Sequence, residues 1–363
     1  MTAAVLTQAG LTAIGGACTP PAMTILRLLA DDLTGALDTA AELVPLTGAV
    51  PVFWPRVTPV QLAGNAALDS GTREGDEAAA TATVRRLCRH LQGADVAFKK
   101  IDSLMRGSTL AEIAACLQSG IWRHAVLAPA FPFQDRVTRD GRQYARLDGA
   151  WTAVSDDLAS ALRAFGIAAS RAMPGDALRP GVTVFDAETD DALRAIVAAG
   201  RQAAAPPLWI GTGGLAQAMA ADCPQAPVPA LPRPVLGLFG SDQAATTNQL
   251  AACGEHWLEI EADSFDPVTQ RLERAELALV SFRLPPGLAR DAAAAAIAGR
   301  IGTLLDRIDR PGTGIVAGGE TLRSLCDAVG AEGLLVTGRL LPGVPRSVIQ
   351  GGRWNGVTVI SKS

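Results

Sequence analysis

The stretch Thr24-Ile25-Leu26-Arg27-Leu28-Leu29-Ala30-Asp31-Asp32-Leu33-Thr34-Gly35-Ala36-Leu37-Asp38 decides the fold. Its apolar run reads as a strand over 24–30, two acids and a Thr-Gly turn follow, and a helix is predicted over 35–43. Strand, polar turn and helix make one βα unit. The same order recurs, with strands predicted at 50–54, 66–69, 96–101, 125–128, 182–185 and 208–210 and helices at 74–91, 108–118, 156–165 and 190–199. From Cys223 to Pro234 five prolines fall in twelve residues, too many for a helix or a hydrogen-bonded ladder, so 223–234 reads as a stiff linker. Beyond it strands are predicted at 235–239, 277–282, 314–316, 334–336 and 357–360, with helices at 244–253, 289–308 and 322–329. The expectation is an α/β protein of two domains, 23–222 and 235–363, each a mostly parallel sheet with flanking helices.

Composition agrees. A chain of 363 residues exceeds one ordinary core, and 48% hydrophobic against 19% charged residues is globular. The formal net charge of −4 provides no general attraction to nucleic acid or an anionic membrane, and neither is expected as a partner. Six scattered cysteines without CxxC spacing argue against zinc or disulfides and for a reduced, cytoplasmic setting. Residues 1–22 lack the basic and apolar regions of a signal peptide, and a disordered extension is expected there. No run of about 18 apolar residues suggests a membrane span.

Ligands of open parallel sheets bind beyond the carboxyl ends of the strands, so polar groups at those points carry the functional reading. Asp31 and Asp32 follow the first predicted strand. A helix cap needs only one of them, which favours a site; Asp38, about one turn on, either joins it or faces solvent. Lys100-Ile101-Asp102-Ser103-Leu104-Met105-Arg106-Gly107 repeats the pattern, and Arg106 suits an anionic substrate. Ala128-Pro129-Ala130-Phe131-Pro132 is a proline-stiffened loop leading to Asp135 and Arg136. Gly211-Thr212-Gly213-Gly214-Leu215-Ala216 matches GxGxxA, but it closes the first domain and no ribose-binding acid follows, so a close-packed turn or an anion-binding helix start fits better than a dinucleotide site. Gly240-Ser241 and Gly318-Gly319-Glu320-Thr321 offer backbone N–H groups at helix starts, suited to phosphate. Nothing matches the P-loop pattern.

Together these motifs resemble the four-carbon acid sugar kinase family, from Ala30-Asp31-Asp32-Leu33-Thr34-Gly35-Ala36 with Asp38 through Lys100-Ile101-Asp102-Ser103, Arg106-Gly107, the proline loop with Arg136, and on to Pro342-Gly343-Val344-Pro345 and Lys362-Ser363. The resemblance implies ATP- and Mg²⁺-dependent phosphorylation of a hydroxyl on an acid such as threonate, erythronate or a 3-oxo-tetronate. By position, Asp31, Asp32, Asp102 and Arg106 would line the acid site; for phosphoryl transfer Arg106 with Lys100 or Arg136 would hold the substrate carboxylate, with Asp32 the base and Asp31 the alternative. Ser241, Gly318, Gly319, Glu320 and Thr321 would bind the nucleotide. Metal ligands are not implied by residue, and the oligomeric state is open, with a homodimer among the choices. In that family glycine usually stands where this chain has Asp135, an acid usually precedes the Pro-Gly-Val-Pro turn where this chain has Arg339, and a Gly-rich, phenylalanine-containing tail follows the Lys-Ser. The rival readings are a nicotinamide-dependent dehydrogenase using the Gly211 turn and a non-catalytic sugar-acid-binding protein.

Overall fold

The computed structural model describes residues 24–57, 61–224, 227, 229–240, 244–261, 264–285 and 287–362. The expected extension at 1–22, part of the proline-rich stretch and Ser241 lie outside the described residues. The strands are β1 (Leu26–Ala30), β2 (Val50–Phe53), β3 (Ala66–Asp69), β4 (Val96–Lys100), β5 (His124–Ala128), β6 (Arg136–Arg139), β7 (Arg142–Leu147), β8 (Ala150–Ala153) and β9 (Ala169–Ala172). They continue as β10 (Gly181–Phe185), β11 (Leu208–Gly211), β12 (Val235–Phe239), β13 (Trp257–Ile260), β14 (Leu277–Phe282), β15 (Thr313–Ala317), β16 (Gly333–Leu341), β17 (Val344–Gln350) and β18 (Thr358–Lys362).

One parallel stack runs β2-β3-β1-β4-β11-β5-β10-β9 and a second runs β13-β14-β12-β15-β18, so the α/β reading holds. The two stacks are not separate sheets. The antiparallel hairpin β16–β17 pairs with β18 on one side and, through Leu334–Val336, with Val50–Val52 of β2 on the other, making one fifteen-stranded sheet. An exposed edge of apolar strand invites pairing with another chain; here the hairpin covers the inner edge of both stacks, β17 against β18 and β16 against β2.

Strands covered on both faces read as continuous apolar runs, and β1 shows why. Leu28 packs with Leu37, Val52 and Trp209 on one face, while Leu29 packs with Val84, Ile113 and Leu127 on the other. Each such buried leucine contributes about 1.5–3 kcal/mol relative to exposure. Among the described residues no helix is long and apolar enough to cross a membrane.

The small antiparallel sheet β6-β7-β8 was not expected; residues 134–141 read as a loop. Its turns were nevertheless written in the sequence. Asp140-Gly141 and Asp148-Gly149 are two-residue connections with φ of 50° and 72°, and 49° and 83°, the backbone that Asp-Gly favours in tight hairpins. Arginine-rich strands concealed the alternation. Asp135 also sits left-handed, at φ 55° and ψ 49°. Glycine adopts that conformation freely and aspartate tolerates it, so Asp135 is accommodated at a position where glycine would also fit.

Candidate active site

In the first stack the chain moves from β1 to β2 and β3 on one side, then to β4 on the other, creating a switch point beside β1. The turns after β1, β3, β4, β5 and β11 converge there around an open cleft.

Asp32 caps the helix Leu33–Thr47: its Oδ1 accepts from the Gly35 amide at 2.9 Å and its Oδ2 from Thr34 Oγ1 at 2.6 Å. It also lines the cleft, so the same carboxylate that caps the helix faces the open space. A β-carbon on Gly35 would stand 2.5 Å from Asp32 Oδ1 and 3.1 Å from Lys100 Nζ, so glycine is what lets both groups meet there.

The residue that organises the site is Arg73, which the sequence reading did not single out. Its guanidinium donates to Asp31 through Nε and, at 2.8 Å, through Nη2. Nη2 also reaches Asp32 at 3.0 Å, and Nη1 lies 3.2 Å from Asp102 Oδ1. Three acids from two turns thus share one cation. Asp69-Ser70-Gly71-Thr72-Arg73 follows a predicted strand, so the strand-end rule applied to Asp31 would have found it. Gly107, at φ 71°, leaves room for the Arg73 carbonyl, which a β-carbon would meet at 2.8 Å.

Asp102 accepts from Arg106 Nε at 2.9 Å and Nη2 at 2.7 Å, a bidentate pair. Burial works to raise its carboxyl, but Arg106 and Arg73 outweigh it and bring it down to about 2. Asp31 is likewise pulled below its ordinary value against burial, by Arg73, Lys99 and Lys100. Asp38 behaves oppositely: burial, only partly offset by Lys100 and Lys362, raises it to about 7.

Of the residues expected to bind the acid, Asp32, Lys100, Asp102 and Arg106 line the cleft. Asp31 does not; it sits beneath the cleft, 3% exposed and gripped by Arg73, which argues against it as a base. Arg136 is turned onto its own loop, donating to the carbonyls of Gln134 at 2.6 Å and Asp135 at 3.0 Å; Gln134 faces the cleft instead. Lys99 and Lys100, adjacent in β4, point to opposite faces. Lys100 lines the cleft, while Lys99 is fully buried, 2.7 Å from Glu112, whose other oxygen accepts from Thr72 Oγ1 at 2.6 Å.

The second half borders the cleft. Gly343, in the β16–β17 turn, lines it, and Arg339 pairs with Glu42, another lining residue. The charge that departs from the family pattern at 339 is answered by that acid. Gly318 starts the helix Gly319–Val329 at φ 94° and donates its amide to the Lys362 carbonyl at 2.8 Å. A β-carbon on Gly319 would lie 3.2 Å from Thr34 Cγ2, so the glycine turn abuts the acidic turn. Thr321 is buried with its hydroxyl against Gly240. Glu320 points away, to Arg290 at 2.9 Å on the surface. The Gly211 turn is close-packed: β-carbons on Gly213 and Gly214 would meet Phe131 at 2.9 Å and the Ala130 carbonyl at 2.6 Å.

Comparison with known proteins matches two successive parts of the chain. Residues 26–171 match a sugar-binding N-terminal domain and residues 236–363 a nucleotide-binding C-terminal domain. A D-threonate kinase of Cupriavidus necator is 31% identical over 88% of this chain and 89% of its own, and one of Bordetella bronchiseptica is 28% identical over 93% of each. Among solved structures, a Haemophilus influenzae protein of the DUF1537 family superposes with a TM-score of 0.71 at 18% identity over 93% of this chain and 96% of that one. A Salmonella typhimurium protein described as a putative tRNA synthase does so with a TM-score of 0.69 at 19% identity over 93% and 95%; both show the fold. With both halves matched in order along the chain, and a relative above 30% identity over most of its length, this protein belongs to the four-carbon acid sugar kinase family.

Proposed function

We propose that the protein transfers the γ-phosphoryl group of ATP to a hydroxyl of a four-carbon sugar acid, with D-threonate the first substrate to test. The observation that supports this is the closeness of Gly319 to Thr34, where a β-carbon on the glycine would lie 3.2 Å from Thr34 Cγ2, so a helix start suited to phosphate stands beside the acid-lined cleft. Phosphoryl transfer asks chiefly for positioning and charge neutralisation, and the cleft offers both. Arg106, 61% exposed at its side chain, and Lys100 supply cations for the substrate carboxylate, and Asp32 accepts from its hydroxyls. Free amides around Gly319 receive the phosphates, with Gly318 giving the turn its left-handed backbone.

Among the described residues no group of three or more His, Cys, Asp or Glu side chains forms a cage for a metal. In nucleotide sites Mg²⁺ is usually held by phosphate oxygens, water and one or two carboxylates, and Asp32 and Asp102 of the cleft are carboxylates that would suit it. When bound with the nucleotide, Mg²⁺ would neutralise charge developing on the phosphates.

Release of ADP, coupled to a spectroscopic readout, should rise on adding D-threonate or a close four-carbon acid to the chain with ATP and Mg²⁺. Binding of such an acid with no ADP release would overturn the kinase reading in favour of a sugar-acid-binding protein. Asp32→Asn should lower kcat/KM by about 10- to 100-fold, the worth of a hydrogen bond to a charged group, and leave nucleotide affinity within a few-fold. Asparagine caps helices as well as aspartate does, so the helix start should persist. A variant with near-normal turnover would remove Asp32 from the site.

A further inference from the structure

We infer that Asp38, rather than Asp32 or Asp31, takes the proton of the attacking hydroxyl. This rests on the kinase reading above. Every other acid near the acceptor is committed. Asp31 is held by Arg73, and Asp102 by Arg106 and Arg73. Asp32 accepts from Gly35, Thr34 and Arg73. Glu42 is paired with Arg339. Asp38 lines the same cleft yet forms no hydrogen bond or ion pair among the described residues.

Its place also suits the step. Asp38 feels Lys100, on the sugar-acid side, and Lys362, whose carbonyl accepts from the Gly318 amide of the glycine turn. It therefore lies where acceptor and donor halves meet. In the reaction the hydroxyl O–H bond breaks as its oxygen bonds to the γ-phosphorus. The bond from that phosphorus to the bridging oxygen breaks, its electron pair leaves on ADP, and the proton rests on the Asp38 carboxyl until solvent removes it.

The charged groups facing Asp38 are Lys100 on β4 and Lys362 on β18, which favour its ionised form, and Asp32 and Glu42, which oppose it. Arg339 on β16 is engaged by Glu42, and Arg73 by the three acids. Burial raises the carboxyl to about 7, near the working range of a general base. Activity needs the ionised form, so kcat should fall as pH drops through that value.

The test compares wild type, Asp38→Asn and Asp38→Glu across pH 5.5–9 with ATP, Mg²⁺ and the best acid of the panel. Asp38→Asn should lose about 10²-fold or more in kcat, keep KM for the acid and affinity for ATP within a few-fold, and lose the acidic limb near pH 7. Asp38→Glu should recover part of kcat and restore the limb. Because asparagine carries no charge to desolvate, thermal stability at pH 8 should match or exceed that of wild type. Near-normal kcat with an unchanged acidic limb in Asp38→Asn would overturn the inference, as would a loss explained by a lowered melting temperature. Absence of ADP release from wild type with every acid would overturn the kinase reading itself and this role with it.

Discussion

Arg73→Ala is expected to cost about 3–5 kcal/mol of folding stability at pH 7, the range for removing one partner of a buried ion pair, and to abolish turnover. The guanidinium is 11% exposed and holds Asp31, Asp32 and Asp102. Without it three acids remain clustered, and none has another cation with the same fork geometry except Asp102, which keeps Arg106. Arg73→Lys keeps the charge and loses the fork, so it should fall between.

The pH dependence has a definite sign. Asp31 and Asp102 titrate below their ordinary values in the folded protein, Asp102 at about 2. Each therefore adds stability that is present above the unfolded value near 4 and lost as pH falls through the folded one. The gap between wild type and Arg73→Ala should be full at pH 5–7 and shrink from about pH 4 toward pH 2. Urea unfolding at several pH values measures it. A gap below about 1 kcal/mol at pH 7, the worth of an exposed pair, would mean that Arg73 is not the organising cation.

Lys99→Met should be comparably severe, about 3–5 kcal/mol, because it leaves Glu112 charged and unpaired in the core. Lys99 is 0% exposed and Glu112 2% exposed at the side chain. Burial works to lower the Lys99 ammonium, but Glu112 and Asp31 outweigh it and raise it. A raised lysine contributes stability below its unfolded value near 10.4 and loses it only as pH climbs through the folded one, so the deficit should stay flat between pH 6 and 9. The double substitution Lys99→Met with Glu112→Leu should recover much of the loss, since an apolar pair replaces an ionic one. Thr72 would lose Glu112 but keep Ser70 Oγ at 2.8 Å. A double variant no more stable than the single one would show that Glu112 matters chiefly by fixing the loop that carries Arg73.

The sequence by itself determined the βα order, and strands such as Ala66–Asp69, Val235–Phe239 and Leu277–Phe282 lie where predicted. It also determined that acids and glycines gather at strand ends, because apolar period and turn chemistry are local properties. Even the hairpins at Asp140-Gly141 and Asp148-Gly149 were legible, had their turns been weighed above their charged strands. Only the tertiary structure decided which polar groups work together. It sent Lys99 into the core and Lys100 into the cleft, turned Arg136 away, and joined two stacks into one sheet through β2 and β16. It also brought Arg73 to three acids and left Asp38 without a hydrogen bond or ion pair among the described residues. The physical reason is that a charge's role depends on what lies within a few ångströms of it. Strand order and the crossing of the chain from β3 to β4 set those neighbours, and they are distant in sequence.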